Sequence, residues 1–243
     1  MTVRNLREPS AVFPDAASDL GVRSLAREME AFAKNAFDPP AWPVDVPHGD
    51  GHTVLVLPGF LAGDWTTSRL RDFLRSLDYR VETADILFNA GPTRPLLNKL
   101  EAKFLELHIA TGTKLSLVGV SLGGVLARDL ARKFPDKVRS VVTLCSPIRM
   151  PVVTPLQPLA QALSPFHERS WVSERDAIAG KLSMPVTAIY TEHDGIVDWR
   201  QCLQDKSHGA FNVRVSGAHL TIGSNPEAQR VVAHVLAAKH ELA

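Results

Sequence analysis

Lys114-Leu115-Ser116-Leu117-Val118-Gly119-Val120-Ser121-Leu122-Gly123-Gly124-Val125-Leu126 is the stretch that decides how this chain folds. Its apolar opening predicts a strand over Lys114–Val120, and Leu122, Val125, Leu126 and Leu130 recur at the spacing of one helix face. A strand therefore feeds a helix through a turn that carries a serine between glycines. Gly119 and Gly123 let the backbone turn sharply without Cβ clashes, which thrusts the Ser121 hydroxyl out where strand meets helix. At that helix N-terminus the dipole and the amide following the serine stabilise developing negative charge. The plainer alternative is a glycine-rich turn with no chemistry.

Outward from this point the same alternation repeats. Short apolar runs predict strands at Thr53–Leu57, Arg80–Asp85, Ser140–Cys145, Val186–Thr191 and Phe211–Val215, and such runs suit strands buried on both faces. Leu70, Phe73, Leu74 and Leu77 share one helix face, Leu97, Leu100, Phe104 and Leu107 a second, and Val231, Val232, Val235 and Leu236 a third. Asn225-Pro226 supplies an N-cap and a first-turn proline for that last helix. The pattern predicts an α/β three-layer sandwich over residues 53–243, with a mostly parallel sheet covered by helices on both faces.

Two stretches interrupt it. Residues 1–52 hold one amphipathic helix, with Leu25, Met29, Phe32 and Ala36 in register, and then Pro39, Pro40, Pro43 and Pro47. This predicts an N-terminal helical arm laid along the domain. Residues 147–184 lie between two strands and carry Pro147, Pro151, Pro155, Pro158 and Pro165, too long and too broken for a simple crossover helix; they predict a small cap insertion.

Composition excludes several classes. The 243 residues are 45% hydrophobic and 22% charged, which fits an ordinary globular domain rather than a disordered or fibrous chain. Basic residues number 27 against 26 acidic ones and are scattered, so no nucleic-acid partner is expected. Charges interrupt the first thirty or so residues, leaving neither a signal peptide nor a membrane span to expect, and the cytoplasm is the expected compartment. Cys145 and Cys202 are too few for a disulfide framework and lack zinc-ligand spacing; they read as reduced and structural, with a single bridge as the alternative. Neither a cofactor nor a metal is expected.

A serine hydroxyl is a weak nucleophile at neutral pH, so Ser121 requires a general base, and the base an orienting acid. Among the histidines, His108, His167, His234 and His240 fall in predicted helices or the cap and read as surface or packing residues. His219 differs, following Phe211–Val215 across Ser216-Gly217-Ala218 in a loop at the sheet edge that also presents Ser121. The strand Val186–Thr191 runs into Glu192-His193-Asp194-Gly195-Ile196-Val197-Asp198. Asp194, straight off the strand end before a glycine turn, is favoured as the acid. Asp198 reads as a helix cap, Glu192 as a third choice and His193 as a turn residue. Val54 to Leu61 is a buried strand entering a glycine loop whose amides can face the serine. The oxyanion donors are assigned to Phe60, with Leu61 as alternative, and to Leu122; an ordinary strand-to-helix turn is the plainer reading.

These residues resemble the α/β-hydrolase superfamily, especially its small bacterial lipases and esterases. The order of oxyanion loop (Leu57-Pro58-Gly59-Phe60), serine elbow (Gly119 to Gly123), Asp194 and His219 matches that family. Tyr190 to Val197 is similar to the acid loop of its lipase-like members, and Gly217-Ala218-His219-Leu220 to their histidine loop. The resemblance covers residues 53–240. Pro58 stands where many members carry a histidine, and residues 1–52 lack their opening antiparallel hairpin, so a sheet of only six strands is expected.

The resemblance implies hydrolysis of a carboxylic ester through an acyl-enzyme: Ser121 attacks, His219 takes and returns the proton, and Asp194 holds the imidazolium. Acyl transfer to an alcohol or amine on the same triad is the nearest alternative, with thioester or lactone cleavage beside it; a serine rather than an aspartate at the elbow disfavours a dehalogenase. An inactive binding module on this fold would lack a triad member, and a dinucleotide enzyme would need G-x-G-x-x-G after its first strand. The expected partner is a small uncharged acyl ester of short to medium chain, lying under apolar cap residues such as Ile148, Met150, Val152, Leu156, Leu159 and Phe166. Arg149, Arg169 and Arg175 are the alternative, as groups that could meet a carboxylate or phosphate.

Overall fold

The structure, a computed structural model, describes residues 20–238. Residues 1–19 of the expected arm, and His240, lie outside the described residues. Six strands form one sheet: β1 Thr53–Leu57, β2 Arg80–Thr83, β3 Leu115–Val120, β4 Val138–Leu144, β5 Val186–Tyr190 and β6 Phe211–Arg214, in the order β2-β1-β3-β4-β5-β6. Every neighbouring pair runs parallel. The six-stranded α/β sandwich expected from the apolar runs is thus the fold observed.

Successive strand side chains point to opposite faces, so a strand covered on both sides has to be apolar throughout. On β1, Val54 and Val56 join a core with Leu70 and Phe73 of α2 (Ser68–Ser76) and Val231 and Val232 of α8 (Pro226–Ala237). Leu55 and Leu57 join the opposite core, with Leu100 and Phe104 of α3 (Arg94–Thr111) and Leu126 and Leu130 of α4 (Leu122–Lys133). Asn225 caps α8 as its sequence predicts, its side-chain oxygen accepting the Ala228 N–H at 3.0 Å. Six strand ends differ from expectation by one or two residues; among them, β2 stops before Asp85 and β4 before Cys145, both of which have left the extended region, at φ 56° and 48°.

Because all six strands point one way, the segments that follow them emerge at one sheet edge. The glycine loop after β1, the serine turn after β3, the insertion after β4, the acid loop after β5 and the histidine loop after β6 all gather there. Within the insertion are α5 (Gln157–Leu163), α6 (Arg169–Ser173) and α7 (Arg175–Ala179). Its two ends belong to the body of the fold: Ile148 is buried, and Ile178, Leu182 and Met184 pack into the core beside α3 and α4.

The helix expected within residues 1–52 is α1 (Val22–Phe37). Of the apolar residues in register on it, Leu25 and Phe32 are half-buried and Met29 is 53% exposed, whereas the residues that α1 fully buries are Ser24 and Glu28. The buried polar face of α1 meets loop backbone, whose amides it can satisfy, while the half-buried Leu25 packs against the apolar cluster of Tyr190, Ile196 and Val197. Among the described residues no helix is long and apolar enough to cross a membrane.

Candidate active site

Ser121 lies between β3 and α4 at φ 52° and ψ −125°, a conformation that side chains other than glycine rarely hold. Its N–H donates to the Leu144 carbonyl at 2.8 Å, and its own carbonyl accepts the Gly124 N–H at 3.0 Å. The flanking glycines serve close approach. A Cβ on Gly119 would stand 2.3 Å from the Gly123 carbonyl, and one on Gly123 would stand 2.3 Å from the Leu57 oxygen. Strand, elbow and helix can press together at this point only because both positions lack a side chain, and the turn is fixed by that contact.

Asp194 and His219 meet directly. The carboxylate Oδ2 lies 2.7 Å from His219 Nδ1, and both residues are buried. Oδ1 accepts the N–H groups of Ile196 at 2.9 Å and Val197 at 2.8 Å, so the carboxylate cannot swing away from the ring without losing two bonds. Burial pushes the imidazole below its ordinary value; the Asp194 charge and hydrogen bond, with Glu28 behind them, outweigh it, and the net displacement is upward. The other acids are employed elsewhere. Asp198 caps the turn Trp199–Cys202 through a bond from Arg200 N–H at 3.0 Å, and Glu192 pairs with Arg214 at 3.0 Å. His193 is exposed.

The glycine loop after β1 separates the two sequence candidates for an oxyanion donor. The Leu61 N–H is committed to the Asn89 carbonyl at 2.8 Å, whereas the Phe60 amide has no acceptor among the described residues. Leu122 heads α4, where a helix's first amides have no intrahelical acceptor. Asn89, fully buried, also donates its side-chain amide to the Pro58 carbonyl at 3.1 Å and so braces the loop from beneath. No pattern in the sequence singles it out.

Phe60, Ser121 and Leu122 border one cavity of about 650 Å³. Its remaining wall is largely apolar and includes Met150, Val152 and Leu156 of the insertion and Val197 of the acid loop. Leu159 and Phe166 are instead 44% and 70% exposed, and Ile148 is buried in the core, so these three do not roof it. Of the arginines, Arg169 and Arg175 line the cavity, while Arg149 is turned to the Leu203 carbonyl. His167, read from sequence as a packing residue, lines the cavity too, its Nε2 lying 3.0 Å from the Ala90 carbonyl.

The structure therefore joins Asp194 to His219 by a hydrogen bond and sets Ser121 at the same sheet edge, with no hydrogen bond to Ser121 Oγ among the described residues. Cys145 Sγ stands within 4.8 Å of the ligand-type atoms of Asp194 and His219. Both cysteines are free thiols, and burial, with the Asp194 charge beside it, pushes the Cys145 thiol well above its usual value.

Residues 53–171 match the family described as the alpha/beta hydrolase fold. No curated protein matches the chain in sequence. Similar solved structures include a lipolytic enzyme of the metagenome-derived pair LipS and LipT, at 13% identity and TM-score 0.59 over 78% of this chain and 94% of that one. The Paleococcus ferrophilus monoacylglycerol lipase is similar at 17% identity and TM-score 0.58, over 79% of this chain and 96% of its own. The thioesterase domain of the curacin biosynthetic pathway is similar at 17% identity and TM-score 0.52, over 80% of this chain and 92% of its own. At such identities the likeness speaks to the fold.

Proposed function

Since the chain belongs to the α/β-hydrolase superfamily, we propose that it is a serine hydrolase that cleaves a carboxylic ester through an acyl-enzyme on Ser121. The observation that carries this reading is the buried Asp194–His219 hydrogen bond at the sheet edge where Ser121 stands on its strained turn. Residues 53–243 form the catalytic domain in this reading, with 147–184 as a cap and 1–52 as an arm. Two free cysteines suit a reducing compartment, and we place the enzyme in the cytoplasm.

In this mechanism Ser121 Oγ bonds to the ester carbonyl carbon as its proton passes to His219 Nε2. The contact between imidazole and hydroxyl tightens when substrate fills the cavity. Asp194 holds the Nδ1–H tautomer and stabilises the imidazolium. The carbonyl electron pair moves onto oxygen, where the Phe60 and Leu122 amides receive it. As that pair returns, the alcohol leaves with the proton from His219, and water repeats the sequence to release the acid and free Ser121.

A fluorophosphonate tests the nucleophile. It should label the wild type on Ser121, and Ser121→Ala should retain the fold, lose the label and lose turnover of p-nitrophenyl esters. Labelling that survives the substitution moves the nucleophile elsewhere. Running the ester assay with an added alcohol separates hydrolysis from acyl transfer, since a new ester forms only if the alcohol intercepts the acyl-enzyme.

A further inference from the structure

Glu28 is a buried carboxylate, 1% exposed, on a helix that precedes β1 and lies outside the family-matched residues 53–171. Its Oε1 accepts the Gly195 N–H at 2.8 Å and the His219 N–H at 2.9 Å, and its Oε2 accepts the Leu220 N–H at 2.9 Å. One side chain thus ties the turn that follows Asp194 to the backbone of His219 itself. Beside it, Ser24 Oγ lies 2.9 Å from the Gly195 carbonyl, and Ser224 Oγ donates to Asn35 Oδ1 at 2.8 Å. Ser24, Glu28 and Asn35 lie on one face of α1, the face that docks.

The fit extends to Gly195. A Cβ there would stand 2.8 Å from Glu28 Cγ and 2.8 Å from the Ser24 carbonyl oxygen, so the acid loop meets the helix with no room for a side chain. Burying a carboxylate is unfavourable unless its lone pairs are occupied, and here three backbone amides from two loops occupy them. A salt bridge or an apolar residue would hold a helix down as well. A carboxylate in this place does something more, because it adds a second negative charge on the imidazole's side of the site.

The geometry points to Glu28 as a positioning residue for catalysis: it fixes the acid loop against the histidine loop and, with Asp194, favours the imidazolium that forms in the transition state. This inference rests on reading Ser121, His219 and Asp194 as the triad. The groups facing the imidazole are Asp194 from the β5 loop, the protonated Cys145 thiol from the end of β4 and the Glu28 carboxylate from α1, with Ser121 at the same edge. Of these, two carry negative charge. Removing one should make the ring release its proton at lower pH.

The test compares Glu28→Gln with Ser24→Ala, which loses a docking bond of the same helix and no charge. Two readouts are taken on the full chain: kcat and KM per fluorophosphonate-titrated site, and the His219 titration midpoint by NMR, assigned with His219→Asn. Glu28→Gln is expected to lower kcat roughly tenfold or more with KM little changed, the pattern of an interaction made in the transition state. The midpoint should fall by about half a pH unit or more, and Ser24→Ala should leave it in place. A midpoint that stays put in Glu28→Gln overturns the inference, as does an equal fall in Ser24→Ala. Should Glu28→Gln fail to fold, Gly195→Ala decides, since it keeps the carboxylate but forces the helix from the loop. It must lower kcat and the midpoint together, and a wild-type profile overturns the inference. The hydrolase reading fails separately, by Ser121→Ala retaining activity, while the NMR midpoint still reports on Glu28.

Discussion

In the proposed mechanism His219 has to be neutral to take the Ser121 proton, and its surroundings favour the charged ring. Its displacement is upward, from burial outweighed by the Asp194 charge and hydrogen bond and by Glu28, so the proton stays on to higher pH than on a free imidazole. The sign follows: the base is lost as pH falls through a raised value. The acidic limb of kcat/KM should therefore lie above the ordinary histidine value of about 6.5, and a limb at or below it would contradict the geometry. Asp194 and Asp198 offer a sharper contrast. Asp194→Asn removes the charged acceptor at 2.7 Å from Nδ1 and should lower kcat by roughly two to four orders of magnitude, whereas Asp198→Asn alters a cap and an ion pair with Arg200 away from the imidazole and should stay near wild type. Steady-state kinetics on the two variants checks this, and equal losses would reassign the acid. At this scale Asp194 was legible because a carboxylate leaving a strand end before a glycine has few places to go. Glu28 was not: the amides it accepts lie 167 to 192 residues along the chain, and a lone glutamate in a helix carries no mark of such partners.

Among the elements, the inner strands were legible because they must be apolar on both faces. The edge strands β2 and β6 were less so, since Arg80, Glu82 and Arg214 interrupt their runs. The serine elbow was legible too, its glycines sitting where backbone meets backbone. The face that α1 buries was only partly legible: its amphipathic spacing includes Leu25, which packs against Tyr190, Ile196 and Val197, but carries no sign of Ser24 and Glu28, whose partners are backbone groups. A pair of substitutions separates the cases. Gly123→Ala would drive a Cβ to 2.3 Å from the Leu57 oxygen and should cost near the upper end of about 1–3 kcal/mol. Met29→Lys, on the exposed side of α1, should change stability by less than about 0.5 kcal/mol. Thermal melts decide it, and a large loss from Met29→Lys would mean that Met29 is packed rather than exposed. The insertion was half legible: its prolines announce an irregular segment, but nothing in their spacing tells that Ile178, Leu182 and Met184 return to the core.

For the whole molecule, the one-way sheet is what makes a site out of five separate loops, and that arrangement followed from the alternation of runs alone. On the proposed function, the cavity with its mostly apolar wall would set the substrate range. Each acyl methylene buried is worth about 0.8 kcal/mol until the wall is reached, so kcat/KM over p-nitrophenyl esters should rise and peak at roughly four to eight carbons. Best activity on long-chain emulsions would mean that the wall opens. The contact between α1 and the histidine loop also has a kinetic side. Its hydrogen bonds span 191 and 192 of the 243 residues, so docking α1 closes about four fifths of the chain into a loop. Contacts of such separation bring no return until the intervening sheet has assembled, which places them late in folding. On refolding from denaturant, far-UV circular dichroism should recover first and ester turnover afterwards, the delay being the time the helix takes to find its seat.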